Sequence, residues 1–190
     1  MSLHCRYERL GLVVLLAFVA VCLVSSSVFA GATGVITGTL SKVDEAGKTV
    51  AVKTADGTVA TVKFTEKTTV SGAKGLAKGA DLVGKEGGHV IVHTVGEGAD
   101  KTAHSIVWVG DKTVKATDVT VEDVGKGTKT VAVKTADGAK DTYEVSEHAT
   151  VDAGKDVGKY SGKGVEKGAH VTVYYTEEGG KKIIHAFQHI

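Results

Sequence analysis

The chain has 190 residues and an almost balanced charge, with 23 basic and 22 acidic side chains and a net charge of +1. Such a chain produces no strong field that would attract nucleic acid or an anionic membrane. Aromatic residues make up 5% of the sequence, which leaves few platforms for stacking bases. We therefore expect no nucleic-acid partner.

The first thirty residues have the pattern of a secretory signal. Arg6 and Arg9 precede an apolar run over residues 10–24, and Val28 and Ala30 fit the positions before a signal peptidase cut. This pattern predicts a signal peptide over residues 1–30 and a mature protein in the periplasm or outside the cell. The rival interpretation is an uncleaved anchor, the one membrane contact that the sequence suggests. A run of about 15 apolar residues is short for a spanning helix, which needs roughly 20.

Removing residues 1–30 would change the chemistry of the chain. Both cysteines, Cys5 and Cys22, would be lost, so the mature protein would have neither a disulfide nor a thiolate metal ligand. Arg6, Arg9 and Glu8 would also be lost, which leaves 21 basic and 21 acidic residues. The mature chain is then neutral overall, and its stability must come from its cores.

A long internal repeat organises the rest of the sequence. The segment Lys-Thr-Val-Ala-Val-Lys-Thr-Ala-Asp-Gly at residues 48–57 recurs unchanged at residues 129–138, an offset of 81 positions. The same offset relates His89 to His170 and His104 to His185. A folding unit duplicated in this way predicts two β-barrel repeats, over residues 31–110 and 111–190.

The first half of each repeat reads as three strands. Residues 35–43 form a first β segment, and residues 49–54 alternate between apolar and polar side chains, which is the period of a half-buried strand. Asp-Gly at residues 56–57 is a strong hairpin signal, because this pair suits the twist of the strands it joins. The return strand covers residues 59–65. The predicted inward residues of this half are Val50, Val52, Val62 and Phe64 in the first copy and Val131, Val133, Tyr143 and Val145 in the second.

The second half contains an irregular connection and a hairpin. Residues 71–82 have no clear period and are predicted to form a loop or one helical turn. Alternation returns at residues 89–93 and again at 101–109, with Val90 and Val92 inward, and with Val171 and Val173 inward in the second copy. Three strands, a connection and a hairpin predict an all-β fold of two five-stranded OB-like barrels, with SH3-like barrels as the alternative. The short connection at residues 110–115 predicts that the barrels lie close together.

The repeat also resembles a known group of domains. The pattern Gly-x-Ile-x-Gly-x-Leu-x-x-Val-Asp at residues 34–44, the repeated segment at 48–57 and Val-Glu-Lys-Gly-Ala-His-Val-Thr-Val at 165–173 are similar to OB-like domains of unknown function in exported bacterial proteins. Here they occur in two tandem copies. The resemblance implies a barrel fold and export, and it implies no activity.

The histidines suggest one specific chemistry. If His170 lies opposite Phe187 on the last hairpin, His185 and His189 become its diagonal neighbours, and three imidazoles could bind Zn or Cu. The equivalent positions in the first copy are His89, His104 and Trp108, which predicts a weaker site. The simpler interpretation is that these histidines are exposed or structural, since a one-residue shift of register would separate them.

The sequence contains no recognisable catalytic arrangement. Its acidic residues fall mostly in turns, and its glycine-rich stretches lack the spacing of a phosphate-binding loop. We therefore expect a non-enzymatic binding or structural module of the bacterial envelope, with no cofactor and an unidentified envelope or extracellular partner. The alternative is a periplasmic metal-binding protein that uses the histidine face.

Overall fold

The structure, a computed structural model, describes residues 33–96, 101–125, 127, 129–154 and 157–190. The predicted signal peptide lies outside these residues. Strands make up 61% of the described chain, and one short 3-10 helix lies at Gly79–Leu82. None of the helices in the described ranges is long and apolar enough to span a membrane.

The first repeat forms one six-stranded sheet. Its strands are β1 (Thr33–Asp44), β2 (Thr49–Lys53), β3 (Val59–Lys63), β4 (Thr69–Ser71), β5 (His89–Val95) and β6 (Thr102–Gly110). The order is β3-β2-β1-β5-β6-β4, and a parallel pairing of β3 with β6 closes five of the strands into a ring. The 3-10 helix lies between β4 and β5, in the segment for which the sequence predicted a loop or a helical turn.

The second repeat forms a second sheet with the same ring. Its strands are β7 (Lys115–Val124), β8 (Thr130–Thr135), β9 (Lys140–Asp152), β10 (Val157–Lys159), β11 (His170–Glu178) and β12 (Lys181–His189). The ring runs β7-β8-β9-β12-β11 and returns to β7. Here β9 is one continuous strand that covers the positions of both β3 and β4.

The connectivity of both rings confirms the prediction of an OB-type barrel. In each ring the first strand pairs with the fourth, and the third pairs with the fifth in parallel. The predicted count of five strands per repeat is incomplete, because β4 and β10 add a sixth short strand outside each ring.

Each barrel has its own apolar core, as the alternating patterns predicted. The predicted inward residues Val50, Val52, Val62, Phe64, Val90 and Val92 are buried in one core, and Val131, Val133, Tyr143, Val171 and Val173 are buried in the other. Val145, also predicted to point inward, is only partly buried and packs against the second core. The Asp-Gly hairpins form as expected, with Gly57 and Gly138 at φ of 86° and 87°. These positive φ values are ones that glycine adopts without strain.

Candidate functional site

The outer faces of the two barrels meet in a third buried cluster. Ile91 on β5 and Val107 on β6 pack against Tyr174 on β11 and Ala186 on β12, with Val35, Val109 and Val114 at the margin. We call this contact the seam. It explains why the whole segment Val90–Val92 is buried rather than alternate residues only, and it confirms that the barrels lie close together.

The seam is built from equivalent parts of the two repeats. The offset of 81 that relates the copies takes β5 and β6 onto β11 and β12, the strands that supply the seam from the other side. Ile91 corresponds to Thr172, His93 to Tyr174 and Val107 to Gln188. The two copies therefore contact each other through the same face, as the subunits of a two-fold symmetric dimer do.

A buried polar cluster lies beside these apolar residues. His93 of the first barrel is fully buried, and its Nε2 lies 2.9 Å from Oγ1 of Thr150 on β9. Its Nδ1 lies 3.7 Å from Oδ2 of Asp152, which is also fully buried. This second separation is an ion-pair distance, too long for a hydrogen bond. Together the three side chains link the two barrels through polar contacts.

The electrostatics of this cluster are set by Asp152. Burial raises the pKa of the carboxyl, but the imidazole of His93 and the backbone N–H of Gly154 lower it by more, so the pKa lies below its usual value. Asp152 is therefore ionised at neutral pH. The carboxylate favours the tautomer with a proton on Nδ1 of His93, in which Nε2 accepts the Thr150 hydroxyl proton.

A cleft of about 310 Å³ opens at this junction. The first barrel contributes Thr69, Ser71 and Ser105 to its lining, and the second contributes His148, Thr150, Val157, Gly158 and Lys159. Thr69 and Thr150 are copy-related, so this cleft lies where the two equivalent faces meet. The hydroxyl of Ser71 is buried and has no hydrogen-bond partner among the described residues.

The histidines predicted to bind metal in the second copy are held apart. Val173, not His170, lies opposite Phe187, so the register on which the metal prediction depended is wrong. His189 lies opposite Val171, the neighbour of His170, which places His170 and His189 on opposite faces of the sheet. Nδ1 of His170 contacts Oγ1 of Thr120, and Nε2 of His189 contacts the carbonyl oxygen of Gly164.

His185 is displaced by a β-bulge. Tyr174 pairs with Ala186 and Tyr175 pairs with Ile184, so His185 is the extra residue on β12. Its Nε2 lies 3.0 Å from Oγ1 of the buried Thr176, and burial lowers its pKa to about 4. The ring is therefore uncharged at neutral pH, and its Nε2 is already occupied by the contact with Thr176.

The three residues predicted to form a weaker metal site in the first copy, His89, His104 and Trp108, are also separated. His104 is the extra residue of the equivalent bulge on β6, because His93 pairs with Ser105 and Thr94 with Ala103. His89 lies opposite Gly110, whereas Trp108 lies opposite Val90 and packs on the core of the barrel. Within the ranges that the structure covers, no group of three His, Cys, Asp or Glu side chains is arranged to hold a metal ion.

The sequence alone did not predict a cluster of His93, Thr150 and Asp152. A signal for the seam was present in Val90-Ile91-Val92 and in residues 106–109, where apolar residues run without alternation. Such runs are typical of strands that are buried on both faces. The pattern does not show which surface covers the outer face, so it could not pair His93 with a strand 57 residues away.

Comparison with known proteins finds similarity to solved structures. No protein-family model and no curated protein matches the chain. The crystal structure of Ag(I)CusF aligns with a TM-score of 0.29 at 17% identity, over 39% of this chain and 93% of that one. At this score, neither the fold nor a ligand of this chain is inferred from the similarity.

Proposed function

We propose that the chain is an exported, non-enzymatic binding protein of the bacterial envelope, built from two OB-like barrels of the kind found in exported proteins. Its binding site is the cleft between the barrels. The observation that supports this proposal is the unpartnered hydroxyl of Ser71, a residue that lines a cleft shared by both copies. A buried hydroxyl without a partner loses the hydrogen bonds it makes in water, and a ligand can restore them.

The construction of the seam supports the same function. The cleft is lined by Thr69 from β4 and Thr150 from β9, so a single barrel could not form it. The apolar cluster around Ile91 and Tyr174 fixes the two lining surfaces relative to each other. A site held rigid in this way loses little conformational entropy when a ligand binds.

A thermal-shift survey of small polar compounds tests this function. The panel should contain anions, cations and neutral sugars, each tested on the wild type and on Thr69→Tyr. Thr69 is exposed and lines the cleft, so a tyrosine there fills the cleft without disturbing a core. We expect at least one compound to raise the Tm of the wild type and to have no effect on the variant.

The survey needs a control for the substitution itself. Thr61→Tyr is a suitable one, because Thr61 is also exposed and lies on β3, away from the cleft residues. A panel without any stabilising compound contradicts the proposal. Equal shifts in the wild type and in Thr69→Tyr contradict it as well, since the ligand would then bind elsewhere.

A further inference from the structure

The lining of the cleft has a definite chemical character. Four hydroxyl groups, one imidazole and one ammonium group line it, and no carboxylate is among the described lining residues. They belong to Thr69, Ser71, Ser105, Thr150, His148 and Lys159. Hydroxyls can donate hydrogen bonds, and the lysine ammonium group can only donate. The Thr150 hydroxyl already donates to Nε2 of His93, so the donors that remain for a ligand include the Ser71 hydroxyl and the Lys159 ammonium group, which carries the one permanent positive charge of the described lining.

The difference between the copies at position 71 strengthens this character. The residue equivalent to Ser71 in the second copy is Asp152, whose carboxylate is paired with His93 and does not line the cleft. The residue equivalent to His93 is Tyr174, whose hydroxyl donates to Oε1 of Gln188 at 2.7 Å. Because the first copy has a serine where the second has an aspartate, the Ser71 hydroxyl has no side-chain partner among the described residues, and these residues of the first barrel place no negative charge on its side of the cleft.

From this lining we infer that the cleft binds a small oxyanion, the carboxylate or phosphate group of its ligand. The inference rests on the proposed function, because it names the ligand class of the same cleft. The Ser71 hydroxyl donates to one oxygen of the anion, and the Lys159 ammonium group offsets its charge. Charge-assisted hydrogen bonds of this kind are shorter and stronger than neutral ones.

Chemical-shift titration of the purified protein tests the ligand class. Inorganic phosphate, acetate and glucose are the three probes, each added at constant ionic strength so that general screening does not change. We expect phosphate or acetate to move the backbone amide signals of Ser71, Thr150 and Lys159, and glucose to leave them in place. The anion that binds with the higher affinity identifies the group that the natural ligand carries.

Two variants and one control identify the contacts. Lys159→Gln and Ser71→Ala should each weaken anion binding about fivefold, which corresponds to the loss of one hydrogen bond of about 1 kcal/mol. Lys78→Gln is the matched control, because Lys78 is the copy-related lysine and is exposed outside the cleft. Its affinity should equal that of the wild type. The dispersion of the amide spectrum shows whether each variant is folded.

The outcomes separate this inference from the proposed function. Movement of the same amides by glucose alone would overturn the oxyanion class while the cleft remained a binding site. Anion binding that Lys159→Gln and Lys78→Gln weaken equally would also overturn it, because the attraction would be unspecific. If neither anion moves the amide signals and a neutral compound stabilises the protein in the thermal-shift survey, the oxyanion class is overturned, whereas the cleft remains a binding site.

Discussion

His93 of the first barrel and Asp152 of the second lie 3.7 Å apart, Nδ1 to Oδ2, with both side chains fully excluded from solvent. The two side chains of this pair belong to different repeats. Groups of this kind are costly to bury alone. The pair therefore makes the stability of each barrel depend on the presence of the other.

Replacing one member of this pair should destabilise the protein. Asp152→Asn removes the charge that faces His93, and we expect the free energy of unfolding to fall by about 1–3 kcal/mol, the range for a substitution that disrupts a buried polar network. Urea unfolding measures the change. Asp123→Asn is the control, because Asp123 is exposed on β7, and it should alter the free energy by less than about 0.5 kcal/mol. Equal effects of the two substitutions would show that Asp152 makes no special contribution.

The pair of His93 and Asp152 also predicts that the stability of the protein depends on pH in the acid range. The pKa of Asp152 is lowered in the folded state, so its contribution to stability is present above the unfolded-state pKa near 3.8 and is lost as the pH falls through the lower, folded value. In Asp152→Asn this part of the acid destabilisation should be missing. Parallel stability curves for wild type and variant below pH 4 would contradict the assignment.

His185 should dominate the loss of stability between pH 6.5 and 4. Its pKa falls from 6.5 to about 4 on folding because of burial, so the unfolded chain binds the proton first. Stability from this group is complete above pH 6.5 and declines as the pH falls towards 4. The expected loss is about 3 kcal/mol, measured by urea unfolding across this range. His185→Gln should flatten the curve, whereas His189→Gln, at an exposed position, should leave it unchanged.

The two cores should respond alike to truncation. Val50 and Val131 are copy-related and both are 0% exposed. Replacement of either by alanine should cost on the order of 1–3 kcal/mol, from lost transfer energy and a residual cavity. Val59 is 55% exposed, so Val59→Ala should have little effect in the same unfolding assay. A strong effect at Val59 with none at Val50 would reverse the assigned faces of β2 and β3.

Calorimetric titration with Zn²⁺ and Cu²⁺ addresses the histidines. Because His170, His185 and His189 contact three different partners, we expect no stoichiometric site that depends on all three. His185→Ala should then give the same heat as the wild type. Binding of one ion per chain that disappears in His185→Ala would restore the metal hypothesis and require the last hairpin to rearrange.

The sequence was sufficient to predict the barrels and their cores, because Val50, Val62 and Val90 lie in strands that alternate. It was insufficient for the histidines, because the bulges at His104 and His185 shift the register by one residue and alternation carries no sign of them. It was also insufficient for the cleft. The cleft forms only where the two barrels pack together, and no local sequence pattern indicates that packing. Before it, nothing distinguishes Ser71, Thr150 and Asp152 from other polar residues in strands.

Whether the seam joins the barrels into one cooperative unit can be measured with the chain's own chromophores. Trp108, the one tryptophan in the sequence, packs on the first core. The tyrosines in the described residues all belong to the second repeat, at positions 143, 160, 174 and 175. Urea unfolding followed by tryptophan emission therefore reports on the first barrel, and tyrosine absorbance reports on the second.

A seam variant completes the design. Ile91 is fully buried in the seam and lies outside both barrel cores, so Ile91→Asp places a charge between the barrels and leaves each core intact. We predict that the two signals of the wild type have the same midpoint, as they do in a single cooperative transition, and that the midpoints separate in Ile91→Asp. Separate midpoints in the wild type would show that the barrels unfold independently and would contradict the seam as the basis of the binding site.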